Sequence, residues 1–298
     1  MRVFVTGASG FVGSAVTRQL IDAGHRVTGL ARSDKAAAIV EKAGATALRG
    51  DLNDLQSLIE GATAADAVVH CGFIHDFSNF AASVATDKRA IETIGAVLAG
   101  SDRPLIVTAG TAGLAFGRLS TEEDAPNPGA YEGTPRVSEQ TALAFRAEGL
   151  RASAMRLPPS VHGDGDHGFI PFLIGVAREK GLSGYVEAGT NVWPAVHRED
   201  AARAYVLAIE SGAAYPRYHA VGEEGIPFRD IAAVIARKLD VPLVSIPKSD
   251  AAAHFGWMAG FAAMDVPASS RLTTERLGWR PTGRGLIEDL EEGTYFIG

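Results

Sequence analysis

Three glycines at regular spacing follow the first apolar run of the chain and constrain its fold more than any other feature. The β-branched run Val3–Thr6 predicts a strand, and the glycines that follow it are Gly7, Gly10 and Gly13. The next segment, Phe11–Ala23, repeats apolar side chains at helical spacing and ends before another glycine. A strand, a glycine turn and a helix in this order present backbone N–H groups where a phosphate can bind. The sequence therefore predicts a Rossmann-type turn for the pyrophosphate of a dinucleotide.

Short β-branched runs alternate with helix-length segments along the first half of the chain. The predicted strands are Val3–Thr6, Arg26–Leu30, Ala45–Leu48, Ala67–His70, Leu105–Thr108 and Ala152–Leu157. This alternation is typical of an α/β fold with a doubly wound parallel sheet. Residues 1–160 are therefore predicted to form a dinucleotide-binding domain.

After Leu157 the pattern changes to glycine-rich loops and helices, and the alternating pattern returns only over about residues 194–222. The elements predicted here are a helix near Pro171–Lys180, strands around Val192–His197 and Tyr218–Val221, and helices over Arg198–Ser211 and Phe228–Leu239. No Pro/Gly/Ser linker divides the chain. We therefore expect a smaller, interwoven C-terminal lobe, formed by residues 161–193 and 223–298, that holds the substrate.

Composition limits the binding partners and the cellular compartment that we expect for this protein. Lys and Arg number 28 and Asp and Glu 35, a net charge of −7 without a basic run, so no nucleic-acid partner is expected. The chain has no apolar leader and no long apolar run, so we expect no membrane association and a cytoplasmic protein. A single cysteine, Cys71, excludes a disulfide framework. The expected partner is a small-molecule substrate, and a homodimer is compatible with the sequence.

Six short motifs are spread from residue 6 to residue 281. They are Thr6–Gly13, with the spacing Thr-Gly-x-x-Gly-x-x-Gly, and Gly50–Leu52, Val68–Gly72, Arg156–Gly163, Val196–Ala202 and Leu277–Pro281. Together they resemble the extended short-chain dehydrogenases, the NAD-dependent epimerase/dehydratase superfamily. The resemblance implies a pyrophosphate site formed by Thr6, Gly7, Ser9, Gly10, Phe11, Val12 and Gly13. It also implies that Asp51 and Leu52 lie beside the adenine.

Asp51 is followed by a predicted helix start. The segment Asn53–Gln56 has the pattern of a capping box, with Asn53 as the N-cap. On this interpretation Asp51 is free to contact the cofactor.

The end of the second predicted strand decides between the two nicotinamide cofactors. NAD sites generally place an acidic residue there, whereas NADP sites use an arginine on the 2′-phosphate. In this chain Ala31 occupies the acidic position and Arg32 follows it. A guanidinium is well suited to a phosphate. The sequence therefore favours NADP(H) over NAD(H).

The catalytic pattern that the resemblance implies is incomplete. Relatives usually combine a Ser or Thr after the fifth strand with a Tyr-x-x-x-Lys on the next helix, where the lysine lowers the pKa of the tyrosine. Thr111 fits the first role, but no Tyr-x-x-x-Lys is present. One register places Pro135 and Glu139 at the tyrosine and lysine positions. A register shorter by one helical turn places Tyr131 and Pro135 there.

Substitutes for the missing pair are available nearby. Arg136 could replace the lysine as a cation, although an arginine does not relay protons. Tyr131 and His162 are the leading candidates for the acid; the histidines in segments near the expected cleft are His75, His162, His167 and His197. The run His162–His167 lacks metal-ligand spacing, so no metal is expected. The candidates for an apolar pocket are Phe73, Phe169 and Trp193–Pro194.

These observations favour an NAD(P)H-dependent oxidoreductase that reduces a ketone or aldehyde on a small apolar or steroid-like substrate. Loss of the Tyr-x-x-x-Lys motif leaves a second hypothesis open, a sensor or scaffold that binds the cofactor without catalysis. A third hypothesis is a sugar-nucleotide epimerase or dehydratase. It is weaker, because such members of the family typically keep both residues.

Overall fold

The computed structural model describes residues 1–127 and 135–297, which form twelve strands and twelve α-helices. The strands are β1 Arg2–Thr6, β2 Arg26–Ala31, β3 Thr46–Arg49, β4 Ala67–His70, β5 Pro104–Gly110, β6 Arg151–Leu157, β7 Ser160–His162, β8 Ser183–Val186, β9 Val192–His197, β10 Arg217–His219, β11 Glu223–Pro227 and β12 Leu243–Ile246. The helices are α1 Phe11–Asp22, α2 Asp34–Lys42, α3 Leu55–Ala64, α4 Phe80–Leu98, α5 Ser138–Ala144, α6 Phe169–Lys180, α7 Arg198–Glu210, α8 Phe228–Leu239, α9 Ala251–Phe255, α10 Ala259–Ala262, α11 Arg271–Leu277 and α12 Leu286–Glu292. None of the helices in these ranges combines the length and apolar character needed to cross a membrane.

Seven parallel strands form the main sheet, in the order β10-β6-β5-β4-β1-β2-β3. From β1 the chain winds outward through β2 and β3, and then returns to the other side of β1 to form β4, β5 and β6. At such a reversal a crevice opens beside the carboxyl ends of the strands. The predicted doubly wound α/β class is confirmed, and the six strands predicted for the first half lie within two residues of the observed bounds.

Helices cover both faces of the main sheet. On one face α1 and α7 pack together, and Val16, Leu20 and Tyr205 are buried in one core cluster with Val3 and Val5 of β1. On the other face α3 and α4 pack together, with Leu58 and Ile91 buried. Because both faces are covered, the central strands are apolar along most of their length.

A second, smaller core lies beside the main sheet. It is built on a three-stranded sheet, β11-β9-β7, and on helices α6 and α8, with Trp193, Phe228 and Phe255 buried inside. A two-stranded sheet, β12-β8, adjoins it. Since β9 belongs to this lobe and β10 to the main sheet, the two cores are interwoven. Trp279 falls in the predicted lobe segment 223–298, but it is buried in the main core.

Helix α3 begins one residue later than the sequence predicts. Asp54, not Asn53, is the N-cap, and its carboxylate accepts a hydrogen bond from the backbone N–H of Ser57 at 3.4 Å. Asp51 causes the shift, because its Oδ1 accepts from the N–H of Asn53 at 2.6 Å and of Asp54 at 3.3 Å. One carboxylate oxygen of Asp51 therefore holds the turn, and Asp51 is not left entirely free.

Asp200 joins the C-terminal segment to the first turn of α7. Its carboxylate, 2% exposed, accepts hydrogen bonds from the backbone N–H groups of Thr282 at 3.0 Å and Gly283 at 2.7 Å. The carbonyl of Asp200 accepts from the indole N–H of Trp279 at 2.9 Å. A single buried residue therefore holds both the backbone and the tryptophan of this segment.

We expect Asp200→Ala to lower the free energy of unfolding by about 1.5–3 kcal/mol, because two backbone N–H groups lose an ionised acceptor. Urea unfolding followed by circular dichroism measures the loss. The matched control is Asp22→Ala, at an exposed residue that ends α1, which should change stability by less than about 0.5 kcal/mol. Equal losses in the two variants would contradict the role given to Asp200.

Candidate functional site

A cleft of about 1490 Å³ runs along the carboxyl ends of the main sheet and reaches the smaller core. Its lining combines the turn after β1, the ends of β2, β4, β5 and β6, and aromatic side chains from both cores. Pockets for small molecules usually measure about 300–1,000 Å³. The cleft therefore has room for a dinucleotide and a second molecule together.

The turn after β1 needs its glycines for different reasons. Gly7 has a φ of +67°, and a Cβ on it would lie 2.7 Å from the nitrogen of Gly72. A Cβ on Gly13 would lie 2.1 Å from the carbonyl oxygen of Gly7. Gly10, the N-cap of α1, donates its N–H to Gly7 at 2.9 Å and opens onto the cleft. This geometry forms a cradle of backbone N–H groups at a helix N-terminus, which suits a phosphate.

Nine of the ten residues predicted to contact the cofactor line the cleft, namely Gly7, Ser9, Gly10, Phe11, Val12, Gly13, Arg32, Asp51 and Leu52. Thr6 is the exception. Its buried hydroxyl lies 2.8 Å from Nδ1 of His70 and accepts from the N–H of Gly72 at 3.1 Å. Thr6 therefore fixes the turn from behind and does not face the cleft.

Arg32 lies exposed at the end of β2 and borders the cleft. Its neighbours are engaged elsewhere. Ser33 caps α2 by accepting from the N–H of Ala36 at 3.2 Å, and Asp34 pairs with Arg49 at 3.1 Å. Arg32 makes no ion pair with any residue in the described ranges. Its guanidinium is therefore available to an anion at this end of the cleft.

The two hydroxyl groups proposed for catalysis have different outcomes. Tyr131 lies outside the described residues. Thr111 is buried, donates its N–H to the carbonyl of Leu157 at 2.9 Å, and does not line the cleft, although Gly110 and Ala112 beside it do. Its Oγ1 has no hydrogen-bond partner among the described residues. The structure therefore places Thr111 behind the wall of the cleft.

His162 is buried away from the cleft. Its Nδ1 lies 2.9 Å from the carboxylate of Asp289, and its ring meets the ring of His197 edge to face at 5.6 Å. His197 accepts from the N–H of Glu199 at 3.3 Å and so caps α7. Neither histidine lines the cleft, so the geometry does not support His162 as a proton donor.

His75 and His167 do line the cleft. The His75 ring meets Phe73 at 5.2 Å, and the His167 ring meets Phe11 of the glycine turn at 5.8 Å. Burial and the charge of Arg136 lower the pKa of His75. These effects disfavour the protonated form of His75.

Arg136 is held in the cleft by groups from several elements. Its Nη2 donates to the carbonyl of Thr108 at 2.9 Å, and its guanidinium lies 4.2 Å from the centre of the Phe73 ring. Its Nε donates to the hydroxyl of Ser138 at 2.7 Å, and that hydroxyl donates to Asp87 at 2.5 Å. Arg136 is thus a positioned cation at the ends of β4 and β5.

The hydrogen-bonded chain continues from Asp87 to the glycine turn. Asp87, 1% exposed, lies 3.1 Å from Nε2 of His70, whose other ring nitrogen contacts Thr6. Burial would raise the pKa of Asp87, but hydrogen bonds from His70 and Ser138 and the charge of Arg136 outweigh it, and the pKa lies below its usual range. A buried, ionised carboxylate therefore connects the cleft cation with the phosphate turn.

Glu139 occupies the lysine position in one of the two registers considered from the sequence. Its carboxylate accepts two hydrogen bonds from Arg156, both at 2.7 Å, and one from Arg217 at 2.6 Å. Pro135, at the tyrosine position of that register, has no donor. This register supplies neither catalytic group.

Part of the cleft is lined by an aromatic wall. Its members are Phe73, Phe77, Phe80, Phe169, Phe172, Trp257 and Phe261. Two of them, Phe73 and Phe169, are predicted from the sequence. Trp193, also predicted for the pocket, is fully buried behind Phe169, with the ring centres 5.9 Å apart. The other five were missed because they come from separate segments that carry no shared motif.

Two further features bear on the chemistry of the cleft. Burial raises the pKa of the Cys71 thiol to about 11, so this side chain at the cleft stays protonated at neutral pH. Within residues 1–127 and 135–297, no group of three His, Cys, Asp or Glu side chains could hold a metal ion.

Comparison with known proteins adds three relationships. An uncharacterized protein of Schizosaccharomyces pombe is 50% identical, covering 99% of this chain and all of its own. The 4-hydroxy-2-methyl-3-oxo-4-farnesyl-3,4-dihydroquinoline-1-oxide ketoreductase of Stigmatella aurantiaca is 29% identical, covering 93% of this chain and 87% of its own. The dTDP-glucose 4,6-dehydratase DesIV of Streptomyces venezuelae, solved with NAD and TYD bound, has the same fold, with a TM-score of 0.77 and 20% identity over 98% of this chain and 96% of its own.

The family relationship rests on most of the chain. Residues 3–221 match the model of the NAD dependent epimerase/dehydratase family. This range contains the glycine turn, Arg32, Asp51 and Arg136, and therefore most of the cleft. The chain belongs to the NAD-dependent epimerase/dehydratase family.

Proposed function

We propose that the chain is an NAD(P)H-dependent reductase that acts on a ketone or aldehyde group of a small apolar molecule. The observation that carries this proposal is the continuity of the cleft, in which the glycine turn, the fixed guanidinium of Arg136 and the aromatic wall border one space. A similar protein is named as a ketoreductase of a farnesylated 3-oxo compound. Membership of the family and this name support a reductase.

The residues of the glycine turn fit a dinucleotide, because Gly10 opens onto the cleft while a Cβ on Gly7 or Gly13 would collide with backbone atoms. We assign the pyrophosphate to the turn Gly7–Gly13, the adenine to Asp51 and Leu52, and a 2′-phosphate to Arg32. When bound, the reduced nicotinamide supplies a hydride to the carbonyl carbon of the substrate.

Arg136 is proposed as the group that orients the carbonyl oxygen of the substrate. Its Nη2 and Nε are engaged with Thr108 and Ser138, which fixes the plane of the guanidinium. Negative charge develops on the carbonyl oxygen as it is reduced, and a fixed cation stabilises that charge. A guanidinium stays protonated at physiological pH, so it does not supply the proton.

Proton donation is assigned to Tyr131 on the shorter sequence register. Thr111 is given no contact with the substrate, because it lies behind the cleft wall. Without a lysine beside it, we expect the tyrosine to transfer its proton slowly at neutral pH.

The second candidate is a sensor that binds the cofactor without catalysis. The ion-paired Glu139 favours it, since a carboxylate held by two arginines replaces a catalytic lysine in one register. A sensor would bind NADPH tightly and reduce no ketone or aldehyde.

Gly10→Val should raise the dissociation constant of NADPH at least about tenfold, which corresponds to about 1.4 kcal/mol. The φ of Gly10, −79°, suits any residue, but a Cβ there would lie 3.2 Å from the carbonyl oxygen of Gly7, so circular dichroism checks that the variant is folded. The new side chain would crowd the phosphates. Titration calorimetry measures the affinity. Gly175→Val, on α6 with open space around its Cβ, is the control and should bind normally. Unchanged affinity in Gly10→Val would exclude the turn as the phosphate site.

The unmutated protein should prefer NADPH to NADH, and Arg32→Ala should remove most of that preference. A charge-assisted hydrogen bond contributes about 1.5–3 kcal/mol, or roughly tenfold to a hundredfold in affinity. Dissociation constants for both cofactors are compared in each protein. Arg178→Ala, at an exposed arginine of α6 outside the cleft, should keep the preference. Equal affinities in the unmutated protein would refute the assignment.

Tyr131→Phe should lower kcat by about 10²–10⁴, the usual contribution of a positioned proton donor. Stopped-flow or steady-state oxidation of NADPH with an apolar ketone measures it, and Tyr215→Phe, at an exposed tyrosine outside the cleft, is the control. A decrease below about threefold would exclude Tyr131 as the acid. If the unmutated protein binds NADPH but reduces no ketone or aldehyde, the sensor hypothesis replaces the reductase.

A further inference from the structure

Two aromatic rings from opposite sides of the cleft stack on each other. The ring centres of Phe77 and Trp257 are 4.1 Å apart, and the ring planes differ by 12°. Phe77 belongs to the segment between β4 and α4, on the main sheet, whereas Trp257 follows α9 in the smaller core. Both residues line the cleft. The Phe77–Trp257 stack therefore bridges the two cores at the cleft.

The turn that presents Phe77 is fixed by its own side chains. Asp76 accepts hydrogen bonds from the N–H of Ser78 at 3.0 Å, from its hydroxyl at 2.5 Å, and from the N–H of Asn79 at 3.3 Å. These bonds hold the short 3-10 helix Phe77–Asn79. The hydrogen bonds of this local turn therefore set the position of the Phe77 side chain.

Trp257 is held from the other side by the smaller core. Its ring lies 4.8 Å from Phe172, 5.8 Å from Phe169 and 6.3 Å from Phe261. It is nevertheless 42% exposed. Four neighbouring rings, that of Phe77 included, therefore hold the indole in place at the cleft.

A short series of rings connects the stack with the cation of the cleft. Phe73 lies under the guanidinium of Arg136, Phe80 follows at 5.8 Å from Phe73, and Phe77 follows at 6.0 Å from Phe80. The apolar surface between Arg136 and the stack is therefore only about three rings long. A substrate whose carbonyl contacts Arg136 has this limited surface for its apolar part.

We propose that the Phe77–Trp257 stack closes the substrate end of the cleft and sets the greatest length of the apolar part of the substrate. Phe77 and Trp257 are then specificity-determining residues. This inference rests on the proposed reductase function. It adds that the preferred substrates are compact apolar carbonyl compounds, and that longer ones are excluded by the stack.

The test compares NADPH-dependent reduction of straight-chain aldehydes from butanal to dodecanal. Phe77→Leu and Trp257→Leu keep an apolar side chain but remove the stack. In each variant kcat/KM for dodecanal relative to that for butanal should rise at least about tenfold. The matched control is Tyr215→Leu, because Tyr215 is also 42% exposed but lies outside the cleft. It should leave the length profile unchanged.

A second measurement tests the stack without relying on activity. The chain contains three tryptophans, and Trp193 and Trp279 are fully buried, whereas Trp257 is exposed. Acrylamide should therefore quench mainly the fluorescence of Trp257. Phe77→Leu should increase this quenching about twofold or more, because the Phe77 ring covers one face of the indole. The variant Trp257→Leu identifies the signal by removing it.

The outcomes separate the inference from the function on which it rests. If the unmutated protein reduces no aldehyde or ketone with either cofactor, the proposed function and the inference both fail. If it reduces short aldehydes but the length profile is the same in both variants, the inference alone is overturned. Unchanged quenching in Phe77→Leu would also overturn it, since the stack would then be absent in solution.

Discussion

The carboxylate of Asp87 is the point on which the arrangement of the site depends. It lies on α4, in the core, and it is contacted by His70 from β4 and by Ser138 from the start of α5. A buried charge of this kind is stable only when it is surrounded by donors. Its partners are therefore fixed in place, and they in turn fix Thr6 behind the phosphate turn and Arg136 in the cleft. The positions of the cofactor cradle and of the cleft cation follow from one satisfied carboxylate.

The sequence predicts the main sheet well because its signals are local. β-branched runs and the glycine spacing around Gly7, Gly10 and Gly13 report the strand and turn without reference to distant residues. The predicted start of α3 was wrong by one residue, because the choice of N-cap between Asn53 and Asp54 depends on the hydrogen bonds that Asp51 accepts. Pattern alone does not rank Asp51, Asn53 and Asp54, three residues within one turn that are all of types that cap helices well.

The substrate end of the cleft was harder to predict, for a physical reason. The aromatic wall draws Phe77 from a turn, Phe172 from a helix and Trp257 from a short segment near the end of the chain. Aromatic side chains are also ordinary core residues, as Trp193 proves to be. Likewise His162 has the right chemistry for an acid, and only its burial against Asp289 shows that it faces away from the cleft. The sequence identifies Arg136 as a neighbour of the missing Tyr-x-x-x-Lys motif. It does not predict the orientation of the guanidinium, because that orientation depends on the hydrogen bond to the carbonyl of Thr108.

The ion pairs of Glu139 restrict which substitutions this position can accept during evolution. Its carboxylate neutralises two guanidinium groups, of Arg156 and Arg217, of which the first is completely buried. Placing a lysine at position 139 would leave three cations together in the core, and losing one partner of a buried pair costs about 3–5 kcal/mol. A lysine at this position therefore requires that the two arginines change as well. Electrostatics around the buried Arg156 thus hold position 139 to a carboxylate unless several substitutions occur together.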